Sequence, residues 1–237
     1  MATKINDKVG IVKPNGNVGF QIIRSSQNSN SIRDLLSESS PFQSHIHPYA
    51  RQWRWNNYFK VHKEIAKLAL MKSILKATKS QLMVAYGALY LKIIRTNGEV
   101  IYLGLAGTKV VTDNGVGFIV DGFQNLVELE NMKYHGIGTG STAESASETA
   151  LVTELTTEYS PDNTRATGTT TENGSNVYRT VGTNTVDATV SLREHGIFTQ
   201  AATGGGVLLD RTLYSLITLN SGDSLQSTYD LTITSGG

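Results

Sequence analysis

Apolar residues recur at intervals of three and four positions between residues 51 and 80, which is the period of a helix with one apolar face. Lysines occupy much of the remaining surface of this stretch, and Glu64 is its only acidic residue. The pattern therefore predicts a basic amphipathic helix over 51–80. Its apolar positions are Tyr58, Val61, Ile65, Leu68, Met71, Ile74 and Leu75.

From residue 81 to residue 237 the pattern changes to the alternation that is typical of β-strands. Segments 82–94 and 99–105 flank the sequence Arg95-Thr-Asn-Gly, and Asn-Gly predicts a hairpin with a type I′ turn. A later strand places its apolar residues on one face. These residues are Leu225, Tyr229, Leu231 and Ile233.

Two segments of this region are less regular. Val116-Gly-Phe-Ile-Val predicts a further short strand after an Asp-Asn-Gly turn. Residues 143–159 predict a helix, because Ala150, Leu151 and Leu155 mark one apolar side. The predicted fold class is mainly β with accessory helices, in which 81–237 forms an antiparallel β-sandwich or jelly-roll-like domain.

Residues 1–50 are polar and carry glycines, prolines and a serine–asparagine tract. Only the stretch from Ser31 to Leu36 predicts a short helix. We expect this region to be an extended N-terminal arm that becomes ordered on assembly, because it lacks apolar residues for a core of its own.

The glycine-rich segment 136–149, GIGTGSTAESASET, has the composition of a phosphate-binding loop before a helix. A Walker loop needs a lysine after its last glycine, and here no lysine or arginine follows before Arg165. Thr142, Glu144 and Glu148 instead suit a helix start, where hydroxyl and carboxylate groups cap backbone N–H groups. The segment is interpreted as a structural joint.

Charge is unevenly distributed although the net charge is only +1. Residues 1–127 contain 16 Lys and Arg against 7 Asp and Glu, and residues 128–237 contain 5 against 13. This asymmetry is compatible with a basic half that faces an acidic partner, with head-to-tail packing of copies, or with two ordinary surfaces. The chain has no cysteine, and it begins without an apolar signal segment, so synthesis in a cytoplasm is expected.

Candidate catalytic groups lack the spacing of a known reaction centre. His45, His47 and His62 could supply a zinc site, but a surface or interface role is favoured because no cysteine and few acids accompany them. His135 and His195 each precede a glycine and are interpreted as hydrogen-bonding elements of the fold. No enzymatic activity, cofactor or metal is predicted.

The strongest binding signal is Arg51-Gln-Trp-Arg-Trp-Asn-Asn-Tyr-Phe-Lys, in which aromatic and basic residues alternate. Such a cluster suits a protein interface or nucleic acid, of which the protein interface is favoured. No membrane contact is predicted, because the lysines leave no broad apolar face. The predicted partner-binding residues are Arg51, Trp53, Arg54, Trp55, Tyr58, Lys60, Lys63 and Lys67.

A series of short motifs carries a family resemblance. The series is Gly138-Thr-Gly-Ser-Thr-Ala, Glu148-Thr-Ala-Leu-Val-Thr-Glu-Leu, Arg193-Glu-His-Gly-Ile-Phe, Gly206-Val-Leu-Leu-Asp-Arg and Gly222-Asp-Ser-Leu. In this order the motifs, together with Lys109-Val-Val-Thr and Gly117-Phe-Ile-Val-Asp-Gly-Phe-Gln-Asn, resemble a module of virion structural proteins in tailed bacteriophages. The resemblance covers roughly residues 85–237.

The resemblance implies an oligomeric, non-enzymatic virion protein made in the host cytoplasm. Its expected partners are sister copies and other virion proteins, such as the major capsid protein or neck and tail proteins. A capsid-associated decoration, cement or minor head protein is favoured. A neck, tail or tail-fibre adaptor is the first alternative, a nucleic-acid-binding packaging accessory the second, and a glycan-binding tail appendage remains open.

Overall fold

The computed structural model describes residues 32–43, 45–77, 83–109 and 111–234. Most of these residues lie in two antiparallel sheets that share one apolar core, and helices lie beside the sheets. The helices are α1 (Ile32–Ser39), α2 (Pro48–Ala77) and α3 (Asp113–Phe123), with a short 3-10 turn at Leu129–Asn131. The strands are β1 (Val84–Ile94), β2 (Val100–Lys109), β3 (Tyr134–Gly138), β4 (Ala166–Thr167), β5 (Thr169–Glu172), β6 (Val177–Thr185), β7 (Val190–Phe198), β8 (Leu208–Leu219) and β9 (Ser224–Thr234).

The five-stranded sheet has the order β2-β1-β9-β6-β5, and the four-stranded sheet has the order β4-β3-β7-β8. Leu89 and Ile93 of β1 meet Leu192 of β7 and Ile217 of β8 in the central cluster of buried side chains. The fold class predicted from the sequence, mainly β with accessory helices, is confirmed. Its jelly-roll version stays a prediction.

The β1–β2 hairpin forms as predicted, but its turn differs. The N–H of Gly98 donates to the Arg95 carbonyl, the N–H of Arg95 donates to the Glu99 carbonyl, and only Gly98 has a positive φ in this turn, +85°. A type I′ turn requires positive φ at both central residues, whereas a type I turn followed by one left-handed glycine needs a single one. The observed turn is of the second kind.

Two of the predicted elements are wrong, namely the helix over 143–159 and the strand over 116–120. Residues 143–159 form an irregular segment instead of a helix. Thr153 and Leu155 bond to the backbone of residues 137–139 at β3, and the N–H groups of Val152 and Thr153 donate to the Glu194 carboxylate. Residues 116–120 lie inside α3, whose first turn is capped by the Thr112 hydroxyl accepting from the N–H of Gly115 at 3.0 Å. The Asp113-Asn-Gly sequence is therefore the first turn of a helix.

The N-terminal region contradicts the prediction of an extended arm where the structure describes it. The short helix predicted at 31–36 is present as α1, and its Leu35 is fully buried against Val61 and Ile65 of α2. Residues 32–43 and 45–50 therefore pack against α2 and the β-domain instead of extending away from them. The rest of the predicted arm, 1–31, lies outside the described residues.

Helix α2 covers one open side of the sandwich, where β2 and β8 are the outermost strands of their sheets. On the β2 side, Arg54 Nε donates to the Leu103 carbonyl and Asn57 Nδ2 donates to the Ala106 carbonyl, each at 2.7 Å. On the β8 side, Trp53 Nε1 donates to the Ser215 carbonyl at 2.8 Å. Open strand edges promote aggregation unless they are covered, and the side chains of α2 provide that cover.

Candidate functional site

The glycine-rich segment does bind an anion, and that anion is the protein's own carboxylate. Glu194 of β7 is fully buried and accepts the backbone N–H groups of Gly140, Val152 and Thr153 at 2.8–3.1 Å. A Cβ on Gly138 would lie 2.6 Å from Glu194 Oε1, so the glycine is required by close packing. The predicted structural joint is present, although no helix follows it.

Arg211 of β8 neutralises this buried carboxylate. Its Nε lies 2.6 Å from Glu194 Oε2, and its Nη1 lies 2.6 Å from Glu148 Oε1 and donates to the Thr142 carbonyl. Its side chain is fully buried. Segment 139–155 is thus fixed to β7 and β8 by charge-assisted hydrogen bonds, which are about twice as strong as neutral ones. Glu148, Glu194 and Arg211 hold the fold together, and their charges are engaged by one another.

His135 and His195 form a second buried polar contact, as the sequence indicated. His135 Nδ1 lies 3.0 Å from His195 Nε2, and His135 Nε2 lies 3.1 Å from the Thr180 hydroxyl. Burial lowers the pKa of His135 to about 3. Burial, and then the neighbouring His135, lower the pKa of His195 well below its ordinary value. Both rings are neutral, so that one donates and the other accepts the shared hydrogen bond.

The two histidines are expected to make the protein less stable as the pH falls below about 6.5. Unfolded histidines take up protons there, whereas the buried rings remain neutral, so acid favours the unfolded state. From about pH 6 to about pH 5 the pair should remove about 2 kcal/mol of unfolding free energy, measured by urea denaturation. The variant His135→Asn/His195→Asn should lose less unfolding free energy over this pH range than the wild type. The control variant His45→Asn, at an exposed position, should lose as much as the wild type. Equal decreases in unfolding free energy for the wild type and both variants would show that the two buried histidines do not cause the loss of stability in acid.

The zinc hypothesis finds no support in the geometry. His47 Nε2 lies 3.2 Å from Glu99 Oε1, and His62 stacks on Tyr58 with 3.8 Å between ring centroids. His45 lies in a turn and His47 directly precedes α2, and neither lies on a strand. Within the described ranges, no group of three or more His, Asp or Glu side chains is placed to hold a metal ion.

In the same ranges, no helix has the length and apolar character needed to cross a bilayer.

The predicted partner-binding residues divide between two faces of α2. Trp53 and Arg54 are buried against β8 and β2, so they bind the protein's own edge strands. Lys60 also turns toward β8, where it donates to the Leu213 carbonyl and pairs with Glu144 at 3.0 Å. The remaining residues face outward or lie at the boundary. They are Arg51, Trp55, Tyr58, Lys63 and Lys67.

An aromatic cluster lies on the outward face, formed by Phe42, Trp55, Tyr58 and Phe59. Phe42 meets Trp55 edge-on with 5.6 Å between centroids, and Trp55 stacks with Tyr58 at 6.0 Å. Trp55 is 50% exposed and Phe59 is 78% exposed. Contacts of this kind favour aromatic pairs by about 0.5–1.5 kcal/mol beyond burial, so the cluster is a preorganised exposed surface. Phe42 was not predicted, because it lies in the polar N-terminal region.

A cleft of about 550 Å³ lies between α2 and residues 143–146. Lys60, Lys63 and Lys67 line it on the α2 side, and Glu64 and Glu144 also contribute. Lys60 lies 3.7 Å from Glu64 as well as pairing with Glu144, so much of its charge is balanced within the chain. Lys63 and Lys67 are exposed and give the border of α2 a positive charge.

Comparison with known proteins gives no family assignment, because no protein-family model and no curated protein sequence matches the chain. The likeness to virion proteins therefore depends on the motifs quoted above. The structure adds that residues of these motifs, Gly138, Glu148, Glu194 and Arg211, meet in one buried framework.

Proposed function

We propose that the protein is a non-enzymatic structural component of a tailed-phage virion, attached to neighbouring proteins through the outer face of α2. The observation that carries this proposal is the aromatic cluster. Its members Trp55 and Phe59 are exposed on α2, whose opposite face is fixed to both sheets. Tryptophan and tyrosine are enriched at the centres of protein interfaces, where a rigid surface lowers the entropic cost of binding.

The buried framework supports the same proposal. The side chains of Glu194, Arg211, His135 and His195 are buried and make hydrogen bonds within the chain. Their hydrogen bonds join β3, β6, β7, β8 and segment 139–155. These hydrogen bonds make the module rigid, and a component of an assembled particle needs a rigid shape. A position on the capsid is preferred, with the neck or tail as the alternative.

Particle composition tests this proposal. Density-purified phage particles should contain the wild-type chain, detected by mass spectrometry. The variant Trp55→Ser/Phe59→Ser should fold normally but be incorporated about tenfold less, because exposed aromatic contacts are typical hot spots. Tyr102→Ser is the matched control, since Tyr102 is 64% exposed on β2 outside the aromatic cluster.

The control variant should enter particles at the wild-type level. A wild-type chain present in infected lysate but absent from purified particles would overturn the proposed function. Normal incorporation of the Trp55→Ser/Phe59→Ser variant would show that the chain attaches through a different surface.

A further inference from the structure

Helix α2 has apolar residues on two opposite faces, which departs from the amphipathic helix that the sequence predicted. Val61, Ile65 and Leu68 face the β-domain and are buried. A second set of apolar residues follows the outside of the helix at intervals of four or seven residues, which is the spacing of one helix face. This outer stripe consists of Trp55, Phe59, Ala66, Leu70 and Ile74.

The outer stripe is long, exposed and bordered by positive charge. It extends over about 28 Å, at 1.5 Å per residue, and Leu70 is 62% exposed. Lys63 and Lys67 lie along one border, and Arg51 lies on the other side near the N-terminal end of the stripe. The only acid of α2, Glu64, accepts the N–H of Thr108 on the inner side. The surface therefore suits a partner that presents apolar residues together with carboxylates.

The same chain carries a surface of this description on α3. Val116, Val120 and Phe123 lie on one side of that helix at intervals of four and three residues, and Phe123 is 75% exposed. Residues 113–130 contain four acids and no lysine, arginine or histidine. The α3 surface is defined here by Val116, Val120 and Phe123. Asp113 and Asp121 lie on the same helix, and Glu128 and Glu130 follow it in the chain.

We propose that the outer stripe of α2 in one copy binds the α3 surface of a second copy. This inference rests on the proposed function, in which α2 is the attachment face, and names the occupant of that face. Two α2 helices would bring like charges together, whereas α2 against α3 pairs lysines with carboxylates and covers apolar residues on both sides. Two different surfaces meet, so each copy offers one binding surface of each kind.

The test uses the full-length chain and two variants that each block one surface. Phe59→Ser/Leu70→Ser removes apolar contacts from the outer stripe, and Val120→Ser/Phe123→Ser removes them from the α3 surface. All four residues are exposed, so unfolding free energies should change little. Tyr102→Ser again serves as the control. Association is measured by sedimentation velocity over a wide range of protein concentration and at low and high salt.

The wild-type chain and the Tyr102→Ser control should associate as concentration rises, and less so at high salt because the charge pairs are screened. Each blocked variant alone should associate about tenfold or more weakly. An equimolar mixture of the two blocked variants should recover association, because one still has its α3 surface and the other still has its outer stripe.

Three results would overturn the inference. The first is a wild-type chain that is monomeric at every concentration. The second is a mixture of the two blocked variants that fails to associate. The third is association that is lost only by blocking α2, which would show that the outer stripe binds itself or another surface. Incorporation into particles is measured separately, so a wild-type chain that enters particles but does not self-associate would leave the proposed function standing and reject α3 as the occupant of the outer stripe.

Discussion

Replacing Arg211 with methionine is expected to lower the free energy of unfolding by about 3–5 kcal/mol, because removing one partner of a buried ion pair leaves the other charge uncompensated. Glu194 would keep its hydrogen bonds from Gly140, Val152 and Thr153 but would lose the guanidinium at 2.6 Å. Urea denaturation followed by circular dichroism measures the change.

The neighbouring strand offers a matched control for this substitution. Arg193 lies next to Glu194 on β7 but is exposed, so Arg193→Met should change the unfolding free energy by about 0.5 kcal/mol or less. Adding Glu194→Gln to Arg211→Met should cost less than the sum of the two single changes, since both buried charges are then removed. If Arg211→Met and Arg193→Met were equally stable, the framework would not depend on this ion pair.

Replacing Trp53 with alanine is expected to cost about 3–5 kcal/mol of unfolding free energy and to promote aggregation. The indole is buried in the central apolar cluster, and its N–H holds the Ser215 carbonyl of β8. Without it, α2 would be attached less firmly to the edges of β2 and β8, and exposed strand edges recruit further strands. Urea denaturation measures the stability, and light scattering on gentle heating measures the aggregation.

Trp55 is the control for this experiment, because it lies two residues further along the same helix and is half exposed. Trp55→Ala should leave the unfolding free energy within about 0.5–1 kcal/mol of the wild type. A similar loss of stability in both variants would mean that the inner and outer faces of α2 have been assigned incorrectly.

The strands were predictable because their signal is local. The alternation of Leu225, Tyr229 and Leu231 places them on one buried face of β9, and the hairpin sequence brings β1 beside β2. Helix α3 was missed because it contains three glycines and β-branched residues, which favour other structures in isolation. The cap from Thr112 and packing of Phe118 against the β-domain stabilise it instead.

Segment 143–159 shows the opposite error. Its alanines, leucines and glutamates favour a helix locally, but the N–H groups of Val152 and Thr153 donate to Glu194, about forty residues further along the chain. Such a long-range partner cannot be identified from spacing. The two faces of α2 pose the same difficulty. Trp53 and Trp55 are the same residue type on the same helix, and only the fold determines that Trp53 faces the sheets while Trp55 faces outward.

The position of β9 determines when the domain can fold during synthesis. Strand β9, Ser224–Thr234, lies between β1 and β6 and pairs with both. The five-stranded sheet therefore has no continuous centre until residues 224–234 have left the ribosome. Until then the β1–β2 hairpin lacks its partner strand β9, and its apolar residues stay exposed. Contacts between residues that are far apart in the chain also form slowly. Chain termination before residue 224 would leave two separated groups of strands instead of a smaller version of the domain.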